Sequence, residues 1–175
     1  SEGSLNMESE FLVSKKAWKK GGSKMFVEIG SYVKVKDLLK GIVVQSGNDA
    51  CIVVAEGISG SEDAFVDLMN TKAKELGLLN SSFKNSTGWP DDEHYMTSYD
   101  LALLSKKIIT DFPTFFNMFK EREFTFNNIK QGNRNPLLYS YKFSDGLKTG
   151  YTEDSGFSLA ATAEKSGRRL IAVLS

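Results

Sequence analysis

From Lys36 onward the apolar residues Leu38, Leu39, Ile42 and Val43 recur at helical spacing, and the pattern stops at Ser46-Gly47. It resumes from Asn48 to about Ile58, now apolar nearly all round, which predicts a buried central helix. Ser61 opens a longer amphipathic helix with Phe65, Leu68, Met69, Ala73 and Leu76 along one side, closed by Gly77. Thr97 or Ser98 caps another, carrying Leu101, Leu104 and Ile108, which Pro113 interrupts. Nearer the start, Ser14 caps a short helix that runs to Lys20 and ends at Gly21-Gly22. The alternating runs "MFVEIG" and "SYVKV" predict a small hairpin about Gly30. Phe124, Phe126 and Ile129 around Asn127-Asn128 predict a second, and "SGFSLAATAEKSGRRLIAVLS" predicts two strands about Lys165-Ser166-Gly167. Helices thus fill roughly 36–120 and strands roughly 145–175, an α+β arrangement.

Composition narrows the partners. With Lys+Arg 22 against Asp+Glu 22, the chain has no net charge to favour nucleic acid or an anionic membrane. The cluster Lys15, Lys16, Lys19, Lys20, Lys24 reads as a solvated helix face, with an anionic wall or lipid surface as the second reading. One cysteine, Cys51, excludes an internal disulfide, and its apolar helical setting predicts a buried, inert thiol. One histidine, His94, cannot build a multi-histidine metal site, so neither metal nor cofactor is expected. Both ends read as cut: the start is polar, and "RRLIAVLS" stops inside a strand-like run. Residues 1–175 are therefore expected to be part of one domain that continues in both directions.

Two short motifs carry chemistry. Ser46-Gly47-Asn48 places a hydroxyl and an amide on a glycine pivot between apolar helices. Read alone, it is a helix–helix turn. Lys148-Thr149-Gly150 in "DGLKTGYT" read alone is a turn or strand start, yet it opens directly into the terminal hairpin. Together, and in this order, they resemble the Ser-x-Asn and Lys-Thr-Gly elements of the penicillin-interacting serine enzymes. The flanking text "LLKGIVVQSGNDAC", "GSEDAFVDLMN", "REFTFNNIKQGNRN" and "DGLKTGYTEDSGFSLAATA" resembles the low-molecular-mass D-alanyl-D-alanine carboxypeptidases of serine peptidase group S11.

The resemblance implies the penicillin-binding-protein/β-lactamase-like transpeptidase fold, with a helical part and an antiparallel sheet. It implies removal of the terminal D-Ala from peptidoglycan stem pentapeptides through an acyl-enzyme, with β-lactams acylating the same serine. It assigns Ser46 to proton relay, Asn48 to the substrate backbone, and Lys148 with Thr149 to the terminal carboxylate. Gly150 leaves room for an extended peptide, the Tyr151 N–H is an oxyanion donor, and Arg134 supports the Lys-Thr-Gly region with Asp111 as its candidate partner. Ser23 borders the cleft. A periplasmic site of action and a C-terminal membrane anchor beyond this sequence are implied as well.

The resemblance also places the nucleophile and the general-base lysine in a Ser-x-x-Lys segment before Ser1. Two formal matches occur here and neither fits. Ser31 and Lys34 fall in an alternating run where i and i+3 face opposite ways. Ser81 and Lys84 follow Ser-Gly-Asn, in the wrong order. Without a nucleophile this chain is expected to be inactive alone, which keeps a catalytically silent binding or scaffold module as the competing reading. A class A β-lactamase is disfavoured, since no Glu-x-x-Leu-Asn loop occurs.

Overall fold

A computed structural model describes residues 6–175. The described residues open with β1 (Glu10–Leu12), α1 (Lys15–Lys19) and β2 (Tyr32–Lys34). Three helices follow directly: α2 (Val35–Gln45), α3 (Asn48–Ser59) and α4 (Glu62–Glu75). A two-residue pair, β3 (Ser81–Ser82) and β4 (Tyr95–Met96), brackets the polar loop, and α5 (Ser98–Asp111) and α6 (Pro113–Phe116) come next. The hairpin β5 (Glu123–Phe126) and β6 (Ile129–Gly132) precedes a single turn, α7 (Leu137–Ser140). The chain closes with β7 (Ser144–Thr152), β8 (Gly156–Lys165) and β9 (Arg168–Leu174).

The capping chemistry is where the sequence placed it. Side chains of Ser14, Ser61 and Thr97 accept from the third residue onward at α1, α4 and α5, satisfying N–H groups that helices leave free at their starts. Pro113 ends α5 by beginning a new helix at its first position, where its missing N–H costs nothing. The β5–β6 turn uses Asn127 and Asn128, both at positive φ, as a two-residue hairpin requires.

The hairpin expected over residues 25–35 does not form. β2 pairs instead with β1, Phe11 opposite Val33. The N–H groups of Met25, Phe26 and Val27 all donate to the Asp49 carboxylate, at 2.8, 2.9 and 3.2 Å, so they cannot serve a strand ladder. Asp49 is buried in the first turn of α3 and also accepts from the Ala50 N–H at 2.9 Å. A distant carboxylate thus outcompeted local pairing. Removing it leaves four N–H groups without this acceptor, so Asp49→Ala is expected to cost about 3 kcal/mol in urea unfolding, given hydrogen bonds to a charged acceptor.

Two cores result. Val13, Ala17, Met25, Leu38, Ile52 and Val53 fill the first, around α2 and α3. Phe116, Leu147 and Ala160 form the second, with Leu101, Ile108 and Val173 joining α5 to the sheet. That sheet has the order β7-β8-β9, all antiparallel, so β7 is an edge strand. Arg169 fixes its start by a bidentate pair with Asp145, both contacts at 2.8 Å. Lys148, Gly150, Ala160 and Val173 share the face toward the helices. Tyr151, Phe157, Leu170 and Leu174 lie on the other face and are all exposed.

Candidate active site

The site forms where the α2–α3 junction meets β7. Helix α2 ends because Ser46 adopts left-handed backbone geometry, φ 57°, and the N–H groups of Ser46 and Gly47 both turn back to the Gly41 carbonyl. A serine rather than a glycine in that geometry costs on the order of 1 kcal/mol. The strain aims the hydroxyl away from the helix axis and across at the sheet. Lys148, 102 residues later, donates from Nζ to Ser46 Oγ at 2.9 Å and to the Thr149 carbonyl at 2.9 Å.

Burial, with the Arg134 guanidinium adding to it, pulls the Lys148 ammonium down to about 8. Near neutral pH it remains mostly charged. Because Ser46 Oγ accepts from an ammonium, its own proton is directed away from Lys148. Asn48 is fixed at both ends: its N–H donates to the Ser23 carbonyl at 2.8 Å and its Nδ2 to the Gly21 carbonyl at 3.0 Å. Its Oδ1 has no donor among the described residues.

Arg134 sits on an exposed loop held by two buried asparagines. Asn133 donates to the Glu121 carbonyl and accepts from the Asn135 N–H, and Asn135 accepts from the Leu137 N–H. The guanidinium donates to Ser23 Oγ at 2.6 Å. Asp111, the expected partner, is instead near Lys107 and accepts from the Thr110 hydroxyl at 2.6 Å. It lies at the end of α5, whereas the Asn133–Asn135 turn points Arg134 at the Gly21–Ser23 loop.

Packing by itself accounts for a glycine at position 150, since a Cβ there would stand 2.6 Å from Ser158 Oγ on β8. Tyr151 is exposed at the far end of β7, next to Phe157. Cys51 is not a second nucleophile: burial pushes its thiol up to about 12, against the opposing pull of Lys148.

Neither formal Ser-x-x-Lys match is a working pair. Ser31 Oγ donates to the Glu28 carbonyl while Lys34 pairs with Glu8. Ser81 Oγ donates to Asp100 while Lys84 pairs with Glu93.

Reasoning from sequence passed over the two asparagines and Asp49, although each carried a signal. An Asn on either side of an Arg is turn chemistry that fixes the Arg backbone. A lone Asp at the start of an apolar helix must find donors when buried.

A Ser-x-Asn junction facing Lys-Thr-Gly on an edge strand is the arrangement of penicillin-interacting serine enzymes. The chain belongs to the D-alanyl-D-alanine carboxypeptidase family, peptidase S11, whose model matches residues 1–174. It is similar to the D-alanyl-D-alanine carboxypeptidase DacC of Escherichia coli (strain K12), 45% identical over 93% of this chain and 42% of that protein. DacF of Bacillus subtilis (strain 168) is 43% identical over 99% of this chain and 46% of its own. The crystal structure of penicillin binding protein 6B from Escherichia coli matches with a TM-score of 0.92 at 41% identity. That match covers 97% of this chain and 56% of the other. The chain therefore spans less than half the length of these curated relatives.

Proposed function

We propose that the protein containing this chain is a serine-type D-Ala-D-Ala carboxypeptidase, releasing the terminal D-Ala of peptidoglycan stem pentapeptides through an acyl-enzyme. The observation that carries this is the Lys148 Nζ to Ser46 Oγ contact at 2.9 Å, joining the two motifs at one point. The family pattern assigns the nucleophile and its base to a Ser-x-x-Lys segment upstream of residue 1. The residues present here supply the rest. Lys148 and Thr149 hold the substrate's terminal carboxylate, a charge-assisted contact that selects carboxypeptidase substrates. Asn48 Oδ1 accepts from the peptide backbone, and the edge of β7 offers main-chain pairing with the Tyr151 N–H as one oxyanion donor.

Ser46 passes a proton. Its hydroxyl gives one to the departing D-Ala nitrogen and is reprotonated from the nucleophile's side, so the amine leaves neutral. Arg134 adds positive charge beside Lys148 and is itself oriented by Ser23. β-Lactams acylate the same nucleophile, and the enzyme works outside the cytoplasmic membrane, held there by a C-terminal anchor.

The test is release of one D-Ala per N-acylated peptide ending in D-Ala-D-Ala by the complete protein, upstream segment included. Ser46→Ala in that protein is expected to lower kcat about a hundredfold, the usual worth of a positioned proton carrier. No release from such peptides by the folded protein would refute the proposal.

A further inference from the structure

The loop ending at Trp89 is fastened more firmly than an exposed turn requires. Asn85 Oδ1 accepts from the N–H groups of Thr87, Gly88 and Trp89 and from the Thr87 hydroxyl. Its Nδ2 donates to the Trp89 carbonyl at 2.9 Å. Ser86 donates from both N–H and hydroxyl to Glu62, which Lys16 holds at 2.7 Å. All this fastening presents one large aromatic side chain to solvent, Trp89, 42% exposed.

Its position is at the site. A Cβ on Gly22 would lie 2.6 Å from Asn48 Nδ2 and 3.5 Å from Trp89 Nε1, so the amide and the indole N–H flank the same glycine. The indole N–H has no acceptor among the described residues. Lys20 Nζ stands 3.8 Å from the centroid of the Trp89 ring, and no carboxylate pairs with it among the described residues.

We propose that Trp89 and Lys20 form a specificity subsite beside Asn48 for the side chain of the residue preceding the D-Ala-D-Ala pair, preferring an aliphatic stem that ends in a carboxylate. This rests on the carboxypeptidase reading above. With the peptide's terminus at Lys148 and its backbone on Asn48, the contacts run from Lys148 through Ser46, Asn48 and Gly22 to Trp89. The preceding residue then meets the indole. The ring face packs a methylene stem at little entropic cost, because Trp89 is already fixed. Lys20, held on the ring by cation–π attraction, supplies charge at the stem's end. A stem ending in an ammonium meets like charge there and is disfavoured.

The test assays the complete protein on three N-acyl-X-D-Ala-D-Ala peptides in which X is lysine, Nε-acetyl-lysine or Nε-succinyl-lysine. These share a stem and differ in terminal charge. The anionic peptide is expected to exceed the cationic one about fivefold in kcat/KM, as one partly screened charge allows. Lys20→Glu is expected to reverse that order, and Trp89→Ala to raise KM about tenfold for all three, as loss of an aromatic anchor does. Misfolding lowers all three peptides alike, so a change in their order cannot come from it. If Lys20→Glu keeps the wild-type order while D-Ala is still released, the subsite is wrong and the carboxypeptidase reading stands. Release from none of the three peptides overturns both.

Discussion

Incubated with a fluorescent penicillin, residues 1–175 alone are expected to carry no covalent adduct, whereas the protein that includes an upstream Ser-x-x-Lys segment is expected to carry one. An unactivated serine is a poor nucleophile at neutral pH and needs a base to take its proton. Ser46 faces an ammonium that donates to it, the opposite of what deprotonation requires. With Lys148 at about 8, only about a tenth of it is neutral near pH 7. Ser31 and Ser81 give their protons to the Glu28 carbonyl and to Asp100, and their i+3 lysines are occupied by Glu8 and Glu93. The Cys51 thiol, at about 12, stays protonated. Intact-mass spectrometry reads the result directly. A stoichiometric adduct mapped to Ser46, or to any serine of this chain, would show the nucleophile to be misassigned.

Replacing Lys148 by methionine is expected to move activity and stability in opposite directions. In the complete protein, on the role proposed for Lys148, the substrate carboxylate would lose a charged partner that is itself largely buried. Leaving such a charge unpaired costs about 3–4 kcal/mol, so kcat/KM should fall by about two to three powers of ten.

Stability should rise at pH 7, because folding pulls Lys148 from 10.5 to about 8. The sign follows from proton counts: between those values the unfolded chain binds more protons, so the native state gains on the unfolded one as pH rises through the window. Below 8 the native state carries the full penalty of a buried ammonium. Lys148→Met removes that penalty, a gain of about 2 kcal/mol after allowing for partial exposure.

The same shift predicts an alkaline limb in kcat/KM at about 8, since kcat/KM reports groups of the free enzyme. In the role proposed for it, a neutral Lys148 would no longer hold the carboxylate, and the Ser46 hydroxyl would turn to donate to it. Urea unfolding at pH 7 and a pH–rate profile check the two halves. A variant that loses both activity and stability would show Lys148 to be a structural residue.

Much of this was legible along the chain because it depended on local chemistry. Ser14, Ser61 and Thr97 announce helix starts through side-chain oxygens that must reach an N–H three residues on. Asn127-Asn128 announces a hairpin because asparagine tolerates positive φ. Ser46-Gly47-Asn48 and Lys148-Thr149-Gly150 were visible as motifs because residue types, order and flanking text need no coordinates.

Partners across long separations were decided elsewhere. Nothing local to Met25–Val27 says that a carboxylate over twenty residues away will take three N–H groups and cancel a hairpin. Nothing local to Arg134 favours Ser23, 111 residues earlier, over Asp111. Trp89 and Lys20 become one surface only when the Asn85 turn lays the indole over Gly21 and Gly22. Sequence periodicity records which face of an element is buried, and capping records where it starts and stops. A buried carboxylate, an arginine or an indole satisfies itself with whichever donor, acceptor or ring the packed elements deliver, and that choice belongs to the tertiary structure.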